Sequence, residues 1–358
     1  MKKIFWAACF LSAFNLHAQT KEEEKPLKIT GYLEAYYSYD FGNPPDHNRP
    51  SFVYSFNRHN EININLGFIK AAYEKDRVRA NLAIMAGTYA NANMVAEPGV
   101  LKNIYEANAG VKLSRTHELW VDAGIFSSHI GFESAVGKDC WNLTRSILAD
   151  NSPYFESGAK LSYTSPNTKW FISALVLNGW QRIQRPDGNN TPAFGHQLTF
   201  KPTDKLTFNS SSFIGQDKPD SVKQMRYFHN FYTQMQLTSK FGITAGFDLG
   251  TEQVAKGSHD YNTWYSPVLI ARYLPTEKFA VAARGEYYSD RHGVIISTGT
   301  PNGFQTWGYS LNFDYSITEN AMWRIEGRGF SGKDKTFVKE NTMSKDNFFI
   351  TTSLAISF

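Results

Sequence analysis

The sequence predicts an all-β fold in the form of a transmembrane antiparallel β-barrel of about sixteen strands. Three observations lead to this prediction. Segments of roughly ten residues alternate between polar and apolar side chains, the connections between them are alternately short and long, and aromatic residues make up 15% of a chain whose mean hydropathy is −0.41. Such a composition suits strands that carry their apolar residues on one face.

The alternation is clearest near the C-terminus. In residues 307–317 every second side chain is apolar, and the residues between them are glycine or polar. The same pattern recurs in residues 279–288 and, with Phe349 as an exception, in residues 348–358. Strict alternation indicates a sheet with one apolar and one polar face.

Counting such segments along the chain places about sixteen strands. Their expected positions are residues 28–40, 58–73, 78–89, 104–113, 118–127, 154–164, 168–180, 193–201, 205–215, 227–238, 242–252, 262–274, 278–289, 304–316, 320–330 and 347–358. Tight turns alternate with loops of roughly nine to twenty-five residues, as expected of a barrel with both ends in the periplasm. The short turns are then periplasmic and the long loops extracellular.

The N-terminus has the organisation of a cleavable export signal. Lys2 and Lys3 precede the apolar run of residues 4–14, and Ala18 is the small residue expected before a cleavage site. A buried N-terminal helix, or a lipid anchor at Cys9, is the weaker alternative.

The predicted organisation has three parts. Residues 1–18 form the signal peptide, residues 19–27 form a charged periplasmic lead-in, and residues 28–358 form a barrel in the outer membrane of a Gram-negative bacterium. After the signal, no apolar stretch approaches the length of a transmembrane helix.

Sequence alone leaves open which face of each strand points inward. A soluble β-sandwich or lectin would bury the apolar faces against each other. The signal, the terminal Phe358 and the alternating loop lengths favour apolar faces that point outward. In hydrocarbon every backbone polar group needs an internal partner, and strands meet this condition only in a closed barrel.

The chain resembles a known family. The cleavable signal, the long alternating body and the terminal aromatic residue are similar to the OmpL-like β-barrel porins of Gram-negative bacteria. Residues 141–146 (WNLTRS), followed by residues 151–158 (NSPYFESG), resemble a stretch of that family. The resemblance covers nearly the whole mature chain. It implies a passive outer-membrane channel with no cofactor and no catalytic residues.

The longest loop, at about residues 128–153, is the third long loop in the chain. In general porins the third outer loop folds into the lumen and narrows it. We expect charged loop residues to face charged wall residues there and to form a constriction that sets ion preference. The loop residues are Lys138, Asp139, Arg145 and Asp150; the wall residues are Glu106, Glu156, Arg284, Arg324 and Arg328. The alternative is an exposed loop that only covers the barrel mouth.

We expect a porin that allows passive diffusion of small hydrophilic solutes or ions, without enzymatic activity. Sixteen strands favour an aqueous channel, although interior salt bridges can also fill a lumen. The alternatives are a non-conducting barrel that binds through its loops and a barrel hydrolase acting on lipid or peptide. No histidine spacing identifies a general base, and no G-x-S-x-G is present.

The charge balance and the cysteines narrow the partners and cofactors. Without Lys2 and Lys3 the chain has nearly equal numbers of basic and acidic residues, which argues against nucleic acid. Only Cys140 survives processing, so no internal disulfide or cysteine zinc site is expected. The expected partners are outer-membrane lipid, small solutes and, through Phe358, the barrel-assembly machinery. The sequence is compatible with a homo-oligomer but marks no interface.

Overall fold

The computed structural model describes residues 25–358, so the predicted signal peptide and most of the lead-in lie outside the described residues. Sixteen antiparallel strands close into a barrel, as the alternation predicts. These wall strands are β1 (Leu27–Asp40), β2 (Ile62–Lys75), β3 (Val78–Ala86), β4 (Ile104–Lys112), β5 (Glu118–Ser127), β6 (Phe155–Thr164), β7 (Trp170–Leu177), β8 (Ala193–Thr203), β9 (Leu206–Gly215), β10 (Arg226–Gln236), β11 (Phe241–Gln253), β12 (Tyr261–Tyr273), β13 (Phe279–Asp290), β14 (Phe304–Thr318), β15 (Ala321–Gly332) and β18 (Asp346–Ser357).

The loops contain the remaining elements. A small hairpin, β16 (Phe337–Lys339) and β17 (Thr342–Ser344), lies in the last long loop and was not predicted. Two short helices are α1 (Thr88–Asn93) and α2 (Ile147–Asp150). The predicted strand 78–89 was too long, because Gly87 has a φ of 127° and turns the chain into α1. A Cβ at Gly87 would lie 2.4 Å from the Asn65 carbonyl oxygen, so only glycine fits this turn.

Strands β1 and β18 join the two ends of the wall. Gly31 and Phe358 exchange backbone hydrogen bonds of 2.7 and 3.0 Å beyond the regular pairing of the two strands. A Cβ at Gly31 would lie 2.2 Å from the Phe358 ring, so the glycine leaves the space that the terminal ring occupies. The last residue of the chain therefore helps to close the barrel.

The two faces of β14 show how the wall is oriented. Trp307 and Tyr309 are 62% and 56% exposed on the outer surface, whereas Asn312 and Asp314 are 0% and 3% exposed inside. Apolar side chains face outward and polar side chains converge on the interior, which is the arrangement of a membrane barrel with a polar lumen. No helix in residues 25–358 is long and apolar enough to cross a membrane.

Candidate functional site

The third long loop, residues 128–154 and here called loop 3, folds into the barrel. Asn142, Leu143, Thr144, Arg145 and Ser146 are each at most 1% exposed, although they belong to a connection between strands. Ser146 caps α2 by accepting a hydrogen bond from the Ala149 N–H. Such burial requires the interior of the barrel to provide partners for the polar groups of the loop.

Three arginines of β13 and β15 provide donors for the loop. Arg284 Nη1 donates to the Thr144 carbonyl at 2.7 Å. Arg324 Nη1 donates to the Gly137 carbonyl at 2.6 Å, and Arg328 Nη1 donates to the Arg145 carbonyl at 2.6 Å. Each guanidinium therefore holds loop 3 by its backbone, and Arg284 and Arg328 also donate to Thr144 Oγ1, at 3.0 and 3.3 Å.

Acceptors on the same strands hold the backbone N–H groups of the loop. Glu326 Oε2 accepts from the Thr144 N–H at 2.6 Å, and Glu286 Oε2 accepts from the Ile147 N–H at 2.6 Å. On β14, Asn312 Oδ1 accepts from the Leu143 N–H at 3.0 Å. Strands β13, β14 and β15 together are called the anchoring wall below.

The charges of the anchoring wall are also paired with each other. Arg284 lies 3.0 Å from Glu326, Arg328 lies 2.5 Å from Glu286, and Arg324 lies 2.7 Å from Asp314. The side chains in these pairs are 0–4% exposed. Buried charges are tolerated only when both partners and the surrounding hydrogen bonds are present, so these groups and loop 3 depend on one another.

Within loop 3, Arg145 links distant parts of the loop. Its guanidinium donates to the carbonyls of Ser134 and Leu143, both at 2.6 Å, and to that of Ala135 at 3.1 Å. Glu133 accepts from the N–H and the hydroxyl of Ser146. Arg145 thus acts as an internal brace of the loop.

Burial changes the protonation of two other loop residues. It raises the pKa of Asp150 to about 7, against the opposing effect of Arg328 and Arg145. Ser55 donates to the Asp150 carboxylate at 3.1 Å. Burial also lowers the pKa of His129 to about 4, although the imidazole contacts the Ser212 carbonyl at 2.8 Å.

Loop 3 also contacts other parts of the wall. Ser211 Oγ donates to the His129 carbonyl at 2.7 Å, and Gly131 N–H donates to Asn230 Oδ1 at 3.2 Å. On the opposite side, Leu148 and Tyr154 belong to an apolar cluster that includes side chains of β1, β2, β3 and α1. Contact with so much of the wall leaves loop 3 little room to move and narrows the lumen.

Strands β2 to β6 carry partly exposed ion pairs on their inner face and are called the ion-pair wall. Lys70 Nζ donates to Glu106 at 2.5 Å. Arg79 binds both carboxylate oxygens of Asp122, at 2.7 and 2.6 Å. The side chains of Lys70 and Arg79 are each 28% exposed. These charges face open space rather than the loop.

Cavities lie on both sides of loop 3. One of about 430 Å³ lies beside the ion-pair wall in the periplasmic half of the barrel, and Lys160 and Trp120 contribute to its lining. Another of about 240 Å³ lies between Tyr105, Tyr232 and the start of loop 3. A third, also of about 240 Å³, lies among the extracellular loops beside Asp150. The ion-pair wall therefore borders the largest of these three spaces.

The nine residues of the predicted constriction fall into two groups. Glu106 and Lys138 are partly exposed and Asp139 is exposed, and Lys138 Nζ donates to Ser357 Oγ at 2.6 Å. The other six are buried, with exposures of 0–5%. They are Arg145, Asp150, Glu156, Arg284, Arg324 and Arg328. The structure brings loop 3 against Arg284, Arg324 and Arg328. Glu156 on β6 also contacts the loop, with its carboxylate 3.4 Å from Ser128 Oγ and 3.6 Å from His129 Nδ1, whereas Glu106 pairs with Lys70.

Several inward charges of the ion-pair wall were not among the predicted site residues, including Lys70, Arg79, Asp122 and Lys160. Lys70 follows the outward Ile69, and Arg79 follows the outward Val78, so parity alone could have found these charges. In the described residues, no group of three or more His, Cys, Asp or Glu side chains could hold a metal ion.

A closed sixteen-stranded barrel whose third long loop folds into a polar lumen defines the class of porin-type outer-membrane barrels. The chain belongs to the family described as "Putative beta-barrel porin-2, OmpL-like", whose model matches residues 26–358. This confirms the resemblance seen in the sequence and implies the outer membrane of a Gram-negative bacterium. No curated protein matches the sequence.

Solved structures with the same fold have little sequence in common with this chain. OmpT of Vibrio cholerae is 10% identical, with a TM-score of 0.60, and the match covers 93% of this chain and 97% of that one. An anion-selective porin from Comamonas acidovorans is 7% identical, with a TM-score of 0.59 and coverages of 93% and 99%. The outer membrane channel DcaP of Acinetobacter baumannii is 9% identical, with a TM-score of 0.55 and coverages of 93% and 97%. At these identities the likeness concerns the fold.

Proposed function

We propose that the protein is a passive channel through which small hydrophilic solutes or ions cross the outer membrane. The observation that carries the proposal is the ion-pair wall, whose charged side chains remain partly exposed beside a cavity of about 430 Å³ that loop 3 does not line. A path lined by charges of both signs suits polar solutes and small ions.

The predicted constriction residues take two roles in this proposal. Glu106, Lys138 and Asp139 line the path, because they are the members of the set that solvent reaches. The buried members act indirectly: Arg145 braces loop 3, and Arg284, Arg324 and Arg328 hold it against the wall. The aperture then depends on the anchoring wall, and the ion preference depends on the ion-pair wall.

The test is single-channel recording of the purified mature protein in a planar bilayer, after a heat-dependent gel-mobility shift has confirmed a folded barrel. We expect discrete conductance steps. In Glu106→Gln the reversal potential in a salt gradient should shift towards the equilibrium potential of chloride, because the Lys70 ammonium loses its anionic partner. Glu340→Gln, in the exposed turn between β16 and β17, is the matched control and should leave it unchanged.

A second candidate function is a barrel that binds through its loops and does not conduct. The observation that favours it is the apolar cluster across the lumen, in which Tyr89 of α1 and Tyr154 of loop 3 contact edge to face at 5.7 Å. If folded protein inserts into bilayers but gives no conductance steps, the non-conducting barrel is the correct assignment. Hydrolysis of phospholipid or peptide by the same preparation would instead support an enzyme.

We further propose that the protein associates with other copies of itself. Closed rings of identical subunits are the common form of soluble oligomers, and the same symmetry argument applies to barrels. A solved structure of Vibrio cholerae OmpT, 10% identical with a TM-score of 0.58, is described as a trimer form. Recognition of Phe358 by the barrel-assembly machinery also belongs to the proposal.

A further inference from the structure

Four polar side chains lie together on the outer surface of β8, β9 and β10. They are His196, Ser210, Ser212 and His229, here called the outer polar cluster. His196, Ser212 and His229 lie side by side, because the strand register pairs Ser212 with both histidines. Along each strand the cluster alternates with buried inward residues and shares its face with exposed apolar side chains, which are Phe194, Leu198, Phe208, Ile214, Tyr227 and Phe231.

The cluster has hydrogen-bonding capacity to spare. Ser212 Oγ lies 2.5 Å from His196 Nδ1, and Ser210 Oγ lies 2.9 Å from His229 Nε2. The two imidazole rings are 5.5 Å apart. Two imidazoles and two hydroxyls offer more donors and acceptors than these contacts use, and imidazoles and hydroxyls can each both donate and accept.

The cluster lies within the apolar band of the barrel. His196 is four positions from Phe200 on β8, and Ser212 is four positions from Phe208 on β9. For tilted strands this places the cluster roughly 10 Å from these phenylalanines along the barrel axis. Phe200 stacks on Trp170 at the periplasmic end of the wall, with ring centroids 4.1 Å apart. Lipid tails offer no hydrogen bonds at this depth, so polar groups here need a protein partner.

An apolar groove of about 500 Å³ adjoins the cluster on its periplasmic side. Its rim is aromatic and its floor consists of small residues. The rim is formed by Trp170, Phe200, Phe208, Phe231 and Phe247, and the floor by Ser210, Thr233, Ala245 and Gly246. A concave surface of this kind accommodates protruding side chains of a partner, while the cluster above it supplies hydrogen bonds.

The neighbouring wall, β2 to β7, lacks an extracellular aromatic belt. Among its exposed apolar residues in the described chain, only Tyr73 and Trp170 are aromatic, and both lie at periplasmic ends. On β14, by contrast, Trp307 and Tyr309 occupy the extracellular half of the strand. Aromatic belts contact lipid headgroups, so a wall without one suits contact with protein. Six strands spaced about 4.8 Å over a height of about 25 Å present roughly 700 Å², close to the ~800 Å² per partner of a stable interface.

We propose that this continuous outer surface, from β2 to β10 and called the β2–β10 face, is where a second copy of the chain binds. The outer polar cluster contributes hydrogen bonds between the two copies. A second copy fits because a twofold axis along the membrane normal brings two identical clusters together, and groups that both donate and accept can then pair with each other. The inference rests on the proposed self-association and is independent of whether the barrel conducts.

The first test is photocrosslinking in native membranes, with a benzophenone amino acid in place of one residue at a time. Ala109 and Leu198 lie on the β2–β10 face, and Leu269 and Leu311 are matched positions on the opposite wall. We expect adducts of twice the chain mass from the first pair only. Adducts of that mass from Leu269 or Leu311 would contradict the assignment of the β2–β10 face as the contact surface. Adducts with a different protein, or with lipid alone, would show that the partner on this face is not a second copy of the chain.

The second test replaces both histidines, in the double variant His196→Leu with His229→Leu. The oligomer in mild detergent should dissociate about tenfold more readily, the change that ~1.4 kcal/mol produces. Thr263→Leu, an exposed outward residue of β12, is the control and should leave dissociation unchanged. Heat-dependent gel mobility reports whether each monomer folds. A folded double variant that dissociates like the control excludes the cluster from the interface.

These measurements separate the two proposals that the inference involves. Wild-type protein that is monomeric in mild detergent and yields no twofold adduct overturns self-association altogether. An oligomer whose adducts map to the opposite wall overturns only the β2–β10 face. Conductance in planar bilayers is recorded on the same preparations, so failure of the channel function is seen independently.

Discussion

The anchoring wall and the ion-pair wall use the same residue types on the same kind of strand, yet their charges are in different states. Arg284 and Arg324 have fully buried side chains, and their donors go to loop 3 and to neighbouring carboxylates. Lys70 and Arg79 are each 28% exposed, and each pairs with a carboxylate two strands away on the same wall. The difference comes from loop 3, which covers one wall and leaves the other facing the cavity. A charge in a barrel lumen is therefore structural or pore-lining according to what covers it.

The largest effect is expected from a substitution of Arg324 in the anchoring wall. In Arg324→Leu, Asp314 loses its cationic partner while buried and three loop carbonyls lose a donor, so we expect a loss of about 3–5 kcal/mol in the free energy of unfolding. Denaturant unfolding in lipid vesicles measures this loss. Single-channel current should also become larger and noisier, because loop 3 is less firmly held.

Arg79→Leu is the matched control for that experiment. It also removes an arginine that binds an aspartate with two hydrogen bonds, but from a partly exposed pair. We expect less than half the destabilisation. Equal losses in the two variants would show that burial beneath loop 3 does not distinguish the two walls.

An intermediate effect is expected from Asp150 and depends on pH. Burial raises the pKa of its carboxyl from 3.8 to about 7 in the folded protein, so the folded state binds a proton that the unfolded chain has lost between these values. The stability that Asp150 contributes is thus complete below pH 3.8 and is lost as the pH rises through about 7. In Asp150→Asn the side chain cannot ionise, so the variant does not lose this stability as the pH rises.

The measurement is the difference in melting temperature between Asp150→Asn and wild type at pH 5 and at pH 8. We expect the difference to favour the variant more strongly at pH 8. His129 acts in the opposite sense: its pKa of about 4 preserves stability above pH 6.5 and loses it as the pH falls through 4. Taking the difference removes the contribution of His129, which both proteins share. A difference that does not change with pH would contradict a buried, proton-binding Asp150.

The smallest effect is expected at Lys112 on the ion-pair wall. Its ammonium pairs with Glu118, whose side chain is 53% exposed. Such a pair is worth about 0–1 kcal/mol, so Lys112→Met should change the free energy of unfolding by no more than that. Urea unfolding in vesicles checks it, beside Arg324→Leu. A loss as large as that of the Arg324 variant would remove the distinction between exposed and covered charges.

The strands could be predicted from the sequence because a half-lipid, half-water wall enforces a two-residue period. The alternation over residues 307–317 corresponds directly to β14. The entry of loop 3 into the lumen was an expectation from its length, its order and its charges. Its anchoring could not be predicted, because Glu106 on β4 and Glu326 on β15 have the same parity and similar neighbours. Only the three-dimensional path of loop 3 shows that one faces a cavity and the other a backbone amide.

The hairpin β16–β17 escaped prediction for a related reason. Its strands have three residues each, too short for a period to be recognised, and they pair above the membrane wall rather than in it. Likewise, the outer polar cluster is invisible in one dimension, since His196, Ser212 and His229 meet only through the register of three strands.

The anchors of loop 3 come late in the chain. Gly137 and Thr144 are bound by Arg324 and Arg284, which follow them by 187 and 140 residues. Until β13 and β15 have joined the barrel, loop 3 therefore lacks the arginine and glutamate partners of its backbone. The final strands that seal the cylinder also supply the side chains that narrow its bore. Closure of the barrel wall and attachment of loop 3 in the lumen therefore depend on the same strands. A chain truncated before β13 would achieve neither of them.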